Sequence, residues 1–136
     1  MLEFEIPVAT KSESNMREHW APKAKRAKLQ RSTAAMFSRQ WTERLPPKPW
    51  LITLTRFGVR RLDTGNLSGS LKHAQDGLCD AIGIDDGDEA HYWRYRQEKR
   101  LKRDGDPGVG VRIETIGTEA ALPRSLEAQV EGNEDV

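Results

Sequence analysis

The sequence predicts an α+β protein of two layers, in which two main helices lie against a small mixed sheet of about four strands. Short segments with apolar side chains at every second position alternate with longer segments whose apolar side chains recur every three or four positions. A chain of 136 residues is long enough for one compact domain. We place this domain at residues 1–117 and expect the acidic residues 118–136 to form a disordered tail.

The first half of the chain predicts a strand, a helix and a second strand. Residues 2–8 alternate between apolar and polar side chains, which predicts a short edge strand. Residues 22–44 lack glycine and have proline only at Pro22, which suits a first helical turn. Pro46 ends this helix. Its apolar stripe consists of Ala34, Phe37, Trp41 and Leu45. Residues 50–57 alternate again and predict the second strand.

The second half predicts another helix and two further strands. Residues 67–82 carry an apolar side chain at every third or fourth position, and Gly83 is a natural stop for this helix. Residues 91–99 and residues 109–113 alternate and predict the last two strands. The predicted order is therefore β-α-β-α-β-β, which favours helices on one face of a small sheet.

Cysteine and histidine usage excludes two classes of site. Cys79 is the only cysteine, so no disulfide forms within the chain, and the three histidines have no zinc-ligand spacing. The first residues lack the basic start and apolar run of a secretory signal. No apolar stretch approaches the roughly 20 residues that span a bilayer. We expect a cytoplasmic protein with no membrane partner.

The charges are unevenly distributed although the formal net charge is only +1. Residues 17–44 contain eight basic and two acidic side chains, whereas residues 63–89 contain seven acidic side chains and one lysine. A basic segment beside an acidic one fits a metal-dependent nuclease, whose cations hold phosphates and whose carboxylates hold the metal. A solvated helix beside acidic loops explains the same pattern, and charge alone favours that simpler interpretation.

Polar clusters precede and follow the second predicted helix, at residues 60–67 and 83–88. A straight helix of about sixteen residues is roughly 24 Å long and would hold the two clusters at opposite ends. One shared site therefore requires either a chain that folds back or a shorter helix.

The segment Asp63-Thr64-Gly65-Asn66-Leu67, then Lys72 and Asp76, then the pair Asp85-Asp86 resembles the RusA-like family of Holliday junction resolvases. In that family an Asp-x-Asp-Asn-Leu segment leads into a helix with a lysine and an aspartate one turn apart, and paired aspartates follow. The resemblance covers about residues 3–116. It implies a RusA-like fold and a homodimeric endonuclease, commonly encoded by phages, that cuts branched DNA and four-way junctions.

The resemblance also implies the cofactor and the site. Magnesium is the expected metal, for which manganese would substitute. The implied metal ligands are Asp63, Asp85 and Asp86, and the implied catalytic residues are Asp63, Lys72 and Asp86. Asn66 and Asp76 accompany them in the motif. The cations expected to contact DNA phosphates without reading bases are Lys23, Lys25, Arg26, Lys28, Arg31, Arg60 and Arg61.

One departure from the family pattern opens an alternative. Gly65 stands where the family has its second metal-binding aspartate. The alternative is a catalytically weakened homologue that binds branched DNA without efficient cleavage. An unrelated α+β interaction protein is the third possibility.

Each motif also has a purely structural interpretation. Lys72 and Asp76 would form an ordinary surface ion pair, because positions four apart share a helix face. Asn66 would cap the second helix, with Asp63 in its approach turn. Asp85 and Asp86 would belong to a turn.

Overall fold

The computed structural model describes residues 1–10, 20–85, 91–116 and 130–131. The elements in chain order are β1 (Leu2–Ile6), α1 (Trp20–Arg39), β2 (Trp50–Gly58), α2 (Thr64–Ile82), β3 (His91–Lys99), β4 (Gly108–Thr115) and β5 (Val130–Glu131). The strands form one sheet in the order β1-β4-β2-β3-β5. The α+β fold, with two helices and a small mixed sheet, is therefore confirmed.

The pairing of the strands explains how the sheet is mixed. β4 is antiparallel to both β1 and β2, while β2 and β3 run parallel. Parallel neighbours cannot be joined by a tight hairpin, because the chain must first return to the starting edge of the sheet. Helix α2 makes this return. It therefore begins beside the C-terminal ends of β2 and β3 and ends beside their N-terminal ends.

The core lies between the two helices and one face of the sheet. Alternation along β2 places Ile52 and Leu54 on that face, and both are fully buried. The apolar stripe of α2 supplies fully buried Leu67, Leu71 and Leu78 against them. Burying one such side chain contributes about 1.5–3 kcal/mol. This stripe is the one that the spacing of apolar residues predicts.

Gly77 marks the closest approach of the two helices. A Cβ atom added at Gly77 would clash with the backbone oxygen of Arg31 and would lie 2.7 Å from the Cβ of Ala34. Only a residue without a side chain allows this crossing. Glycine has a low intrinsic preference for helices, but at position 77 the packing of the two helices requires it.

The ends of the helices differ from their predicted positions. α2 begins at Thr64, and Asp63 occupies its N-cap position in extended conformation without a side-chain capping bond. Asn66 donates its backbone N–H to the Asp63 carbonyl over 2.9 Å, so it lies inside the first turn. The interpretation of Asn66 as the cap is wrong. Gly83 ends α2 in the left-handed conformation, with φ of 74°, as expected.

The helix predicted at residues 22–44 is divided in two. α1 ends at Arg39, and a separate 3-10 turn covers Thr42–Arg44. The apolar stripe nevertheless continues across the break, since Phe37, Trp41 and Leu45 all pack against the core.

Part of the predicted tail is paired rather than disordered. Val130 and Glu131 form β5 opposite Tyr95 and Arg96 of β3. The rest of the predicted tail, residues 118–129 and 132–136, lies outside the described residues. Within the described part of the chain, neither helix combines the length and the apolar character that crossing a membrane requires.

Candidate functional site

Helix α2 separates the two polar clusters. Asp63 directly precedes the helix, and Asp85 follows Gly83 at its other end. The helix has 19 residues and is therefore roughly 28 Å long. Asp86 follows Asp85 in the sequence but lies outside the described residues. The single metal site that combines Asp63 with Asp85 is thus not formed within one chain, because the parallel β2–β3 pair requires α2 to run the length of the strands.

The Asp63 end of α2 is held against the sheet by one glutamine. The side-chain amide of Gln97 donates to the Leu62 carbonyl and accepts from the Leu62 N–H, both over 2.9 Å. Gln97 is only 3% exposed, so this pair of bonds fixes the segment before Asp63 to β3. Asp63 itself is exposed. A Cβ added at Gly65 meets nothing within 4 Å, so the space of the absent carboxylate is open.

The opposite end of α2 borders a polar cleft, called the α2 cleft below, with a volume of about 370 Å³. Its lining residues are Arg31, Asp76, Cys79, Asp80, Gly83, Ile84 and Asp85. Three carboxylates and one guanidinium therefore meet here. The cleft contains two of the predicted site residues, Asp76 and Asp85, together with one predicted DNA-binding residue, Arg31.

Arg31 interacts with two carboxylates of the α2 cleft. Nε of Arg31 donates to Oδ2 of Asp80 over 2.7 Å, and its Nη2 donates to Oδ1 over 2.9 Å. The same guanidinium lies 3.9 Å from Asp76. The hydrogen bonds from Arg31 lower the pKa of Asp80, although partial desolvation opposes them. Asp80 is therefore held as a carboxylate at neutral pH.

Lys72 reaches the cleft through Asp76. Its Nζ lies 3.1 Å from Oδ1 of Asp76, one turn along the same helix. The Lys72 side chain is 50% exposed and that of Asp76 is 22% exposed. The shared helix face that the spacing predicts is confirmed. The ammonium group stays accessible to a ligand in solution.

A second groove, called the α1 groove, continues from the α2 cleft. It has a volume of about 280 Å³ and is lined by Lys28, Arg31, Ser32, Ala35, Arg39 and Asp80. Two of its four charged residues, Arg31 and Asp80, also line the α2 cleft. Three cations against one carboxylate make this groove basic. A surface that attracts phosphates thus runs directly into a cluster of carboxylates.

The predicted DNA-binding cations fall into two areas. Those on α1 are Lys23, Lys25, Arg26, Lys28 and Arg31, of which Lys25, Lys28 and Arg31 are exposed. Arg31 is committed to Asp80, so it meets phosphates less readily than its sequence context predicts. Arg60 and Arg61 are also exposed, but they lie at the Asp63 end of α2.

The available oxygen ligands determine which residues can bind a magnesium ion. Magnesium prefers oxygen ligands and usually takes only one or two protein carboxylates, with water in its other positions. Among the described residues, no group of three His, Cys, Asp or Glu side chains is arranged to hold a metal. Asp85, which lines the cleft, has the right ligand chemistry, and its sequence neighbour Asp86 has the same chemistry but lies outside the described residues. Asp63 does not fit, because the whole of α2 lies between it and Asp85.

The sequence did not predict Asp80, Gln97 or Arg56 as site residues. Asp80 pairs with a residue 49 positions away, and no local pattern signals such a contact. Gln97 carried a signal, because it is a polar residue at a core-facing position of an alternating strand. Arg56 is likewise a polar residue at a core-facing position of an alternating strand, β2.

No protein-family model, curated protein or solved structure matches the chain. The family resemblance of the sequence therefore remains a prediction.

Proposed function

We propose that this protein is a metal-dependent, structure-selective endonuclease that binds branched DNA, such as four-way junctions, and hydrolyses its phosphodiester bonds. One observation carries the proposal: the basic α1 groove and the carboxylate-lined α2 cleft share Arg31 and Asp80. Cations that hold a phosphate backbone next to carboxylates suited to a metal are the two parts that such a reaction needs.

In this proposal each part has a chemical task. Lys28 and Arg39 hold phosphates along the α1 groove through charge, without reading bases. The accessible ammonium of Lys72 offsets the negative charge that develops on the attacked phosphate, and Asp76 keeps it in place at 3.1 Å. Magnesium at Asp85 and Asp86 would supply an activated water and a further positive charge.

A second candidate function follows from the small number of carboxylates that could hold a metal beside Asp85. Gly65 brings no ligand, and Asp63 lies at the far end of α2 from Asp85. A metal at Asp85 and Asp86 therefore has fewer protein ligands than the sequence motif implies. Since even indirect changes cost metal sites roughly 10- to 100-fold, a protein that binds branched DNA without efficient cleavage is the alternative.

Cleavage of a labelled four-way junction and of a matched linear duplex tests both candidates, with magnesium, manganese or a chelator present. We expect metal-dependent cutting of the junction that falls at least about 100-fold in Asp85→Asn and Asp86→Asn. Asp104→Asn, an exposed acid in the turn before β4, is the matched control. Salt-sensitive junction binding without cutting would select the second candidate, and neither binding nor cutting would contradict both.

We further propose that the protein acts as a homodimer through the face of the sheet opposite the helices. A dimer with two-fold symmetry suits a branched substrate that presents equivalent arms. This open face has a depression of about 500 Å³. Its charged lining comprises Arg94, Arg96 and Arg112 together with Glu3, Glu5, Glu98 and Glu114.

The charges of the open face are self-complementary. Glu3 and Glu5 lie on β1 at one side of the sheet, and Arg94 and Arg96 lie on β3 at the other side. A two-fold axis parallel to the strands would stack β1 of one copy over β3 of the other, so Glu3 and Arg94 would meet twice with opposite sign. Glu5 is already paired with Arg100 of its own chain over 2.7 Å. The central strands present the small residues Thr53 and Thr55 together with the larger Phe57 and Arg112.

The same charges disfavour DNA on this face, because four glutamates outnumber three arginines. We expect Arg94→Glu to produce monomers in analytical ultracentrifugation and the double variant Glu3→Arg with Arg94→Glu to restore the dimer. A wild-type protein that stays monomeric at high concentration would contradict this interface. Cleavage measured separately keeps the dimer and the enzymatic proposal distinguishable.

A further inference from the structure

Arg56 is a buried cation at the C-terminal end of β2. Alternation puts it on the same face as Ile52 and Leu54, and only 9% of the residue is exposed. Its guanidinium donates to the Thr10 hydroxyl over 3.2 Å, to the Thr10 carbonyl over 3.3 Å and to the Arg60 carbonyl over 2.6 Å. All three acceptors are neutral oxygens.

The charge of Arg56 has no described counter-charge. Burial lowers the pKa of this guanidinium, and no carboxylate of the described residues opposes that effect. Buried charges are normally paired, because an isolated charge is costly to remove from water. A guanidinium also has five N–H donors, of which the three described bonds use three. Both its charge and its donor capacity therefore exceed what the described residues satisfy.

Arg56 lines a pocket that contains further cations. The pocket has a volume of about 390 Å³ and is lined by Ala9, Thr10, Arg56, Gly58, Val59, Arg60, Lys102 and Pro107. Arg60 and Lys102 are exposed, so their flexible ends can close over an occupant. Among the described residues its lining has three cations and no carboxylate, whereas the α2 cleft and the open sheet face both contain several acids.

Gly58 contributes to the shape of this pocket. A Cβ added at Gly58 would lie 2.9 Å from Nη1 of Arg56. A side chain there would push against the guanidinium. The glycine therefore lets the buried cation lie flat beside the backbone at the pocket wall.

We propose that the Arg56 pocket is a binding site for one phosphate group. The planar guanidinium would hold two phosphate oxygens side by side, and Arg60 and Lys102 would neutralise the remaining charge. The site goes beyond the proposed cleavage function, since it lies at the Asp63 end of α2, away from the α2 cleft. Its occupant is either a free phosphate compound or a phosphodiester of a nucleic acid backbone.

Titration with inorganic phosphate, followed by ³¹P NMR and calorimetry at low salt, tests the site without any DNA. We expect saturable binding to the wild type and at least tenfold weaker binding to the double variant Arg60→Gln with Lys102→Gln. Both side chains are exposed, so the fold should be kept. Lys48→Gln, at the other end of β2, is the control and should bind like the wild type. Absent binding, or equal binding by the double variant, would overturn the proposal.

A second arm identifies the source of the phosphate. If four-way junction DNA displaces inorganic phosphate and the double variant binds the junction at least tenfold more weakly, the occupant is the nucleic acid backbone. If only inorganic phosphate binding falls, the occupant is a free phosphate compound. Either result supports the site. Failure of junction cleavage alone would affect the proposed function and leave this inference standing.

Discussion

The guanidinium of Arg31 and the carboxylate of Asp80 join the two helices through a pair of hydrogen bonds of 2.7 and 2.9 Å. This contact forms the border between the basic α1 groove and the acidic α2 cleft. Two oxygens and two nitrogens in one plane fix the relative position of the helices more tightly than a single charge pair does. In the proposed function, a phosphate chain in the α1 groove would meet the carboxylates of the α2 cleft at this contact.

The pairing of Asp80 predicts a pH-dependent contribution to stability. The pKa of Asp80 lies below its ordinary value of 3.8, chiefly because Arg31 donates hydrogen bonds to it. A depressed pKa contributes stability above the unfolded value, and that contribution is lost as pH falls through the lower folded value. We expect Asp80→Asn to lower Tm modestly at pH 7, and we expect the difference from the wild type to shrink as the pH falls below 3.8. The modest size follows from solvent exposure.

Thermal melts from pH 7 to pH 2, at low and high salt, measure this effect. Asp104→Asn, which is exposed and lies outside the cleft, controls for the general effect of removing one acid. High salt should reduce the difference at pH 7. A difference between wild type and Asp80→Asn that stays constant across the whole pH range would contradict the prediction.

The close crossing of the helices predicts opposite effects for two glycines of α2. Gly77→Ala should destabilise the protein by about 1–3 kcal/mol, because its Cβ would clash with the Arg31 carbonyl. Gly69→Ala meets no atom within 4 Å and should stabilise the helix by about 0.5–1 kcal/mol. Urea unfolding of both variants gives the comparison. Equal stability of the two variants would show that the helices do not touch at Gly77.

The two hydrogen bonds between Gln97 and Leu62 predict that a substitution of Gln97 destabilises the segment before Asp63. Gln97→Leu would leave the partly buried Leu62 N–H and carbonyl without their partner, at a cost of about 1–3 kcal/mol. Glu98→Gln, the exposed neighbour, should have little effect. The rate of hydrogen exchange at the Leu62 amide reports directly on its hydrogen bond to Gln97. Unchanged protection of that amide in Gln97→Leu would argue against it.

The separation of Asp63 from the α2 cleft predicts unequal effects on cleavage. Lys72→Met should reduce junction cleavage about 100-fold or more with little change in junction binding, because in the proposed reaction its ammonium would offset the developing charge. Asp63→Asn should reduce cleavage much less, since it lies at the other end of α2. Single-turnover rates at saturating enzyme separate cleavage from binding. A loss in Asp63→Asn as large as that in Asp86→Asn would require an Asp63 from elsewhere, such as a second copy.

Local periodicity did not predict the end of α1 at Arg39 or the strand β5. It was sufficient to predict two helices and four of the five strands, because the apolar stripe of each lies within a few neighbouring residues. Lys72 and Asp76 were predictable for the same reason, since positions four apart meet on any helix. Helix length also indicated that residues 63 and 85 would be far apart. Arg31 and Asp80 were not predictable, because their contact depends on how closely two helices pack. That distance is set at Gly77, whose effect appears only once both helices are placed.

The short strand β5 has a consequence for self-association. Its backbone occupies the side of β3 at Tyr95 and Arg96, where amide and carbonyl groups would otherwise face outward. An uncovered strand of this kind is a template for another extended chain, and proteins commonly cover such edges to remain separate molecules. Residues 130 and 131 thus block this part of the edge of β3. Deleting them would expose backbone groups to which a strand from a neighbouring molecule can add.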